Sequence, residues 1–492
     1  MTDPNTPSQQ PGWFDKPVQW PAPAAEPGRP EAVAGDPAWP AAATGGPATS
    51  SWPELAPPAG SASPTRSTSG WPDVGSAAVT ARLTKVPPRT GGTRPVEPAV
   101  PDATSPQPET PAAPQRPGRD RYFDLLRTTA LVRVVFYHLF GWAWLSVVFP
   151  SMGVMFALAG SLMARSLSRP AGSVIRGRIR RLLPPVWAFS ALVLPLLFIG
   201  GWNPGKDADT GGGPWGWLRL VDYVIPVNAP SYPWEVAHPP GFLESSWAEQ
   251  AIGPLWYLRA YLWFVLASPL LLRALRKVPW ATLLAPLALT AVVGTGLVTV
   301  PGRTGESVTD FAVYGSCWVL GIAHHEGVLA RIPRYAAVSG AALLMAFGLW
   351  WASGHLTEEG WDLNEIPLAQ ATWSLGFVVI LLQYAPSWQR LPGRLAAWDR
   401  LVTLANNRAV TIYLWHNLLI MATFPLIDKL YELPFMDDRW SDALSTTYMF
   451  WSFVLVWPLI ALAIVATGWI EDLAAKRPPR LWPDGSRSGR RR

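Results

Sequence analysis

Cysteine is nearly absent: the 492 residues hold one, Cys317. A single thiol excludes an intrachain disulfide framework and a thiolate zinc cluster, and in its apolar stretch Cys317 reads as a small buried hydrophobe. Charge is scarce as well, 15% of residues against 49% hydrophobic. That balance fits several membrane spans better than a soluble enzyme. The first 118 residues lack any hydrophobic period. Pro, Ala, Gly, Ser and Thr dominate there, broken by isolated tryptophans such as Trp13, Trp20, Trp39 and Trp52. Such a segment buries too little apolar surface to offset its ordering entropy, so a disordered tail is expected over 1–118. It has no signal-peptide apolar core, and with positive charge flanking the first span the tail is expected to remain in the cytosol. A Pro-rich tail can also dock a partner.

What is present, from residue 121 on, is a series of apolar runs separated by short polar loops. Spans are expected near 124–144, 147–164, 186–202, 254–272, 279–300, 311–326, 335–353, 366–385, 409–427 and 448–470. Several approach the ~20 residues that a helix needs to cross a bilayer, and the shorter ones can tilt. With the amino terminus inside, the inner loops are basic. They carry Arg165, Arg169, Arg176, Arg178, Arg180 and Arg181, then Arg273, Arg276 and Lys277, then Arg390, Arg394, Arg400 and Arg408. Outer loops hold Asp207, Glu358, Asp362 and Asp438. The basic side is the topological signal. The net charge of +6 is therefore read as positive-inside bias, with membrane lipid and not nucleic acid as the partner. The expectation is an all-α polytopic protein of about ten transmembrane helices, multi-pass in a bacterial-type plasma membrane with both termini cytoplasmic. The membrane domain covers 119–475 and a basic tail 476–492. His238, in the long 203–253 stretch, matches no metal-ligand spacing, and no metal is expected.

The first span reads RYFDLLRTTALVRVVFYHLF. Arg127 and His138 are eleven residues apart, which on a helix leaves them within ~20° of each other and ~16 Å apart along the axis. A titratable imidazole then sits near mid-membrane, in line with a cation at the entrance. Arg133 falls ~140° away from His138, on another face, and needs a carboxylate or carbonyl partner of its own. Ionisable groups at such depth are costly and mark functional sites by default, though a satisfied helix contact is the plain alternative. Arg259 and His416 are also placed inside spans and are expected to face the bundle.

These residues carry a resemblance. Asp124, Leu125, Leu126 and Arg127 followed by Tyr137-His138, then Gly153, Val154, Phe156, Leu158 and Gly160 in the second run, then Arg178, Arg181 and Pro184, resemble membrane-bound acyltransferase family 3. The run PLWYLRAYL, with Trp256 and Arg259, and the run NRAVTIYLWHNLLI, with Tyr413 and His416, resemble later spans of that family. Departures are the missing Gly after Asp124, Ala159 in a serine position, Arg133, and Pro254 where a His is frequent. The resemblance implies a ten-span O-acyltransferase acting on carbohydrates or related acceptors at the outer membrane face.

Acyl transfer from a thioester to a hydroxyl needs a base, an oxyanion stabiliser and a grip on the donor. His138 is expected as the base, since an imidazole can take the hydroxyl proton and return it to the leaving thiolate. Arg127 is expected to hold the donor or orient the base, unless it only snorkels to the headgroups. Arg178 and Arg181 share a helical face and, as bidentate phosphate ligands, suit the pyrophosphate and 3′-phosphate of acyl-coenzyme A, the expected donor, with acetyl as the expected group. Ordinary positive-inside charge is the other reading of that pair. His416, Tyr413, Arg259 and Trp256 are expected on the substrate-binding side. No permanently bound cofactor is expected, and the acceptor is a carbohydrate or glycolipid outside the cytosol, reached directly or through a separate extracytoplasmic acyl-handling protein. The competing class is a multi-pass transporter, which a buried His and Arg would also serve. No inverted repeat or matched pair of broken spans supports it.

Overall fold

The computed structural model describes residues 120–207, 212–233, 247–358, 360–434, 436 and 438–485. The segment read as a disordered tail and His238 lie outside them. Among the described residues the secondary structure is helical, with one isolated bridge between Thr357 and Gly360. Ten helices form the body: α1 (Arg121–Phe140), α2 (Ser151–Ser166), α3 (Ala171–Ile199), α4 (Leu255–Lys277), α5 (Pro279–Gly294), α6 (Gly302–His325), α7 (Arg334–Ser353), α8 (Pro367–Gln383), α9 (Ala409–Tyr431) and α10 (Tyr448–Thr467).

A helix falls on each of the ten stretches expected from hydropathy. Six segments are long and apolar enough to cross a membrane, those ending α2 and α4 and those forming α3, α7, α9 and α10. Helices α5 and α8 are apolar but shorter. Helices α1 and α6 have the length, but α1 carries Arg121, Asp124, Arg127 and Arg133, and α6 carries Glu306, Asp310 and a His pair at its end. Polar groups of that kind are tolerated when they face protein or water in place of lipid, and Asp124 and Arg133 are buried.

The centre of the bundle is the crossing of α2 and α6. A Cβ at Gly160 would lie 2.2 Å from the Trp318 carbonyl oxygen, and one at Gly321 only 1.9 Å from that of Ala157. Glycine at both positions lets the two backbones touch, the small-residue packing that replaces hydrophobic driving force between membrane helices. Around this contact Phe156, Phe264, Tyr314 and Trp318 form a buried aromatic cluster, with Phe264 and Trp318 stacked 5.0 Å apart. Cys317 is buried here as a free thiol, in keeping with its apolar neighbourhood.

The two ends of α1 are fixed differently. At its start Asp120 caps the helix by accepting from the Tyr122 amide, and the buried Arg121 donates to Asp124 (2.9 Å), Asp399 (2.6 Å) and Thr403 (3.0 Å). At its far end Tyr137 donates to the buried Asp362, whose other oxygen accepts from the Asn364 amide at 2.9 Å. The loop holding Asp362 is tied to the turn after α1 by Ser146, which accepts from the Leu363 amide at 2.9 Å. Burial pushes the Asp362 carboxyl up, against the opposing pull of the Tyr137 hydroxyl and the Asn364 amide.

Candidate functional site

At the basic end of the bundle the helices part around a cavity of about 800 Å³. Its walls come from the start of α1, the end of α2, the start of α3, the first half of α4, the end of α6 and the start of α9. Arg127, Arg178, Arg181 and Tyr413, chosen from three separate runs, all line it.

Arg127 is held in place by a residue that spacing did not single out. It donates from Nη1 to Asn406 Oδ1 at 2.9 Å, while the Asn406 amide nitrogen donates to the Asp124 carbonyl (2.8 Å) and Thr128 Oγ1 (2.9 Å). Asp124 stands 4.0 Å from the same guanidinium. Asn406 thus welds the short helix before α9 to the face of α1 and aims Arg127 into the cavity. The signal for it was its place directly ahead of the NRAVTIYLWHN run. Arg178 reaches across to α2, donating to the Leu162 carbonyl (3.2 Å) and Ser166 Oγ (3.1 Å), with Tyr261 of α4 at 3.4 Å. Arg181 lies among the positive charges of Arg178, Arg180 and Arg477. Among the described residues neither Arg178 nor Arg181 has a carboxylate partner.

Four carboxylates also line the cavity, Asp120, Asp124, Glu471 and Asp472. They are engaged: Asp120 as the α1 cap, Asp124 by Arg121, and Asp472 by the fully buried Arg408 at 2.7 Å. Glu471, beyond the last span, accepts from the Thr411 amide (2.8 Å) and hydroxyl (2.5 Å). Burial raises its carboxyl to about 7, against the effect of those bonds and of Arg408. Among the described residues Arg178, Arg181 and Arg477 line the void without a carboxylate partner, so the cavity suits an anion.

Tyr413 marks the inner limit. Its ring lies 4.9 Å from that of Tyr257 and 5.5 Å from that of His416, and the His416 ring lies 5.2 Å from His138. The two histidines, one on α1 and one on α9, therefore sit together on the far side of Tyr413, and neither is part of the cavity wall. His416 is buried, and its Nδ1 bonds the Tyr413 carbonyl at 2.6 Å. A carbonyl only accepts, so Nδ1 carries the proton and Nε2 presents a lone pair. Nε2 is buried without a hydrogen-bond partner among the described residues. The His416 imidazole therefore has one nitrogen fixed as donor and the other left able to accept a hydrogen bond.

Two expected substrate contacts are placed elsewhere. Arg259 is buried as expected, but pairs with Asp310 at 2.5 Å and lies 3.7 Å from Glu306, tying α4 to α6 away from the cavity wall. Trp256 stacks on Tyr314 at 5.5 Å, beside Phe156, in the aromatic cluster. Arg133 finds the carbonyl partner its helical position called for: Nε donates to Leu145 O at 3.2 Å, and the guanidinium lies 4.7 Å above the Tyr137 ring. His324 and His325, at the end of α6, join the cavity wall. Among the described residues no group of three His, Cys, Asp or Glu side chains is placed to hold a metal ion.

A family model described as an acyltransferase domain, acyltransferase family 3, matches residues 120–470. No curated protein and no solved structure matches the chain.

Proposed function

Because the chain belongs to the membrane-bound acyltransferase family 3, we propose that it is an O-acyltransferase taking its acyl group, an acetyl group in the simplest case, from cytosolic acyl-coenzyme A. The acceptor is a hydroxyl of a carbohydrate or glycolipid on the opposite membrane face. One observation carries this reading: a cation-lined cavity at one end of the bundle ends, through Tyr413, against the His416–His138 pair. Phosphates of the donor rest on Arg178 and Arg181, whose forked guanidiniums match phosphate oxygens. The pantetheine arm runs inward past Tyr257 and Tyr413. With ten crossings and the basic end in the cytosol, the thioester then meets the histidines from one side and the hydroxyl from the other.

The chemistry asks little beyond this. An imidazole Nε2 lone pair removes the acceptor proton as its oxygen attacks the thioester carbonyl. The carbon–sulfur bond breaks, an oxygen ester forms, and the imidazolium returns the proton to the coenzyme A thiolate. His138 is the base of this scheme and His416, with its fixed tautomer, the neighbour that shares or relays the proton. Arg127 orients the donor at the cavity's inner half.

The test is release of free coenzyme A when purified full-length protein meets acetyl-coenzyme A and a cell-envelope extract. His138→Gln, inserted normally, should lower that release by at least ~10²-fold, the usual worth of a positioned acid–base group. Full activity in that variant would remove the base from the scheme, and no acceptor-dependent release in the wild type would remove the reaction.

A further inference from the structure

Beyond α10 the chain does not leave the bundle. A short helix, Trp469–Ala474, is followed by an extended segment through Asp484 that runs back along the basic end. Its attachments are specific. The buried Arg408 donates to Asp472 and to the Arg480 carbonyl, and the Arg480 amide returns to Asp472 at 3.1 Å. Asn407 donates to the Pro483 carbonyl at 2.8 Å, and Arg180 of α3 donates to the Ala474 carbonyl at 3.2 Å. This strap ties α3 to the residues just ahead of α9, and Glu471, Asp472, Ala475 and Arg477 belong to the cavity wall.

The turn that delivers Arg477 is unusual. Lys476 has φ 57, the one non-glycine residue in the left-handed region among those described. That conformation is disfavoured for a side chain with a Cβ and persists only where the surroundings fix it. Here they do: the Lys476 amide donates to the Leu473 carbonyl (2.9 Å) and the Arg477 amide to that of Asp472 (2.8 Å). The reversal brings Arg477 to the cavity beside Arg181, with no carboxylate partner among the described residues. Arg178, Arg181 and Arg477 thus form a three-cation rim from two distant parts of the chain. Like charges held together without counter-ions repel, and a multiply charged anion relieves that repulsion.

We propose that the strap is a wall of the donor site and that Arg477 is a third phosphate-binding residue, acting with Arg178 and Arg181 on the nucleotide end of the donor. The assignment rests on the acyl-coenzyme A reading above. It concerns binding and not chemistry, because Arg477 is an exposed residue of the cavity wall and neither histidine belongs to that wall.

Binding of coenzyme A, 3′-dephospho-coenzyme A and pantetheine to the purified full chain in an uncharged detergent tests it. Arg477→Ala should weaken coenzyme A binding ~10-fold, the worth of one charge-assisted contact at a half-exposed site, and leave pantetheine binding unchanged. Arg477→Lys should recover part of the loss and Arg477→Glu deepen it. The Arg178→Gln/Arg181→Gln pair is the reference arm. If that pair loses coenzyme A while Arg477→Ala binds like wild type, the strap assignment is wrong and the donor reading stands. If the reference pair and wild type bind coenzyme A no better than pantetheine, the donor reading itself fails. Anionic lipid offers the same phosphate chemistry. Were lipid the partner of Arg477, the variant would differ from wild type only in phosphatidylglycerol nanodiscs, which would equally overturn the proposal.

Discussion

Glu471 offers the most quantitative test of the basic end. It is partly buried against Thr411, and its carboxyl is raised from 4.5 to about 7. Below pH 4.5 the folded and unfolded chains both hold the proton and the residue has no pH-dependent effect. Between 4.5 and about 7 the unfolded chain has lost its proton and the folded chain still binds it, so stability falls as pH rises. Above about 7 the fall is complete. At ~1.4 kcal/mol per tenfold in proton affinity the ceiling is ~3 kcal/mol, lowered by whatever solvent reaches the side chain. Glu471→Gln keeps an oxygen that can accept from both Thr411 groups but cannot ionise. Its unfolding free energy in detergent, followed from pH 5 to 8.5, should therefore drop less than that of wild type, by ~1–3 kcal/mol across the window. Because Glu471 lines the cavity, its ionisation also adds negative charge beside the donor's phosphates. Coenzyme A affinity of the wild type should weaken through pH 7, and that of Glu471→Gln should stay flatter. Parallel stability profiles for the two proteins would refute the assigned burial and everything drawn from it.

Other perturbations probe the frame and the donor grip. Gly321→Ala places a methyl group 1.9 Å from the Ala157 carbonyl, so α2 and α6 must separate; a loss of ~1–3 kcal/mol in thermal or denaturant unfolding is expected. Tyr137→Phe leaves the buried Asp362 without its hydroxyl donor, at a cost of ~1–3 kcal/mol, and an unchanged unfolding midpoint would show the contact to be idle. Replacing Arg178 and Arg181 together by Gln should raise the donor KM ~10²-fold with kcat little changed, read from initial rates over a donor titration; an equal drop in kcat alone would place those arginines in the chemistry instead.

Much of the helical order was legible because hydropathy reports spans directly, and the Arg127–His138 stripe because a single helix preserves spacing. The approach of His138 to His416 was not, since it depends on how α1 and α9 are docked, a contact 278 residues apart in the chain. Arg259 illustrates the limit from the other side. Its burial followed from the cost of a lipid-facing cation, but its partner Asp310 lies on another helix, and only packing could distinguish a structural ion pair from a substrate contact. The segment after residue 475 read as a basic tail because it is polar and rich in Pro and Arg. What holds residues up to Asp484 is instead a set of backbone carbonyls and amides caught by Arg408, Asn407 and Asp472, and main-chain partners leave no trace in composition.

The carbonyl-to-glycine crossing at Gly160 and Gly321 has a mechanical corollary. Two backbones in direct touch have no side chains between them to change rotamer, so neither helix can roll or slide without carrying the other. That pair is expected to move as one body, so breathing that admits a bulky nucleotide falls to the other helices lining the cavity, α3 and α9 among them, and to the segment that clips them together.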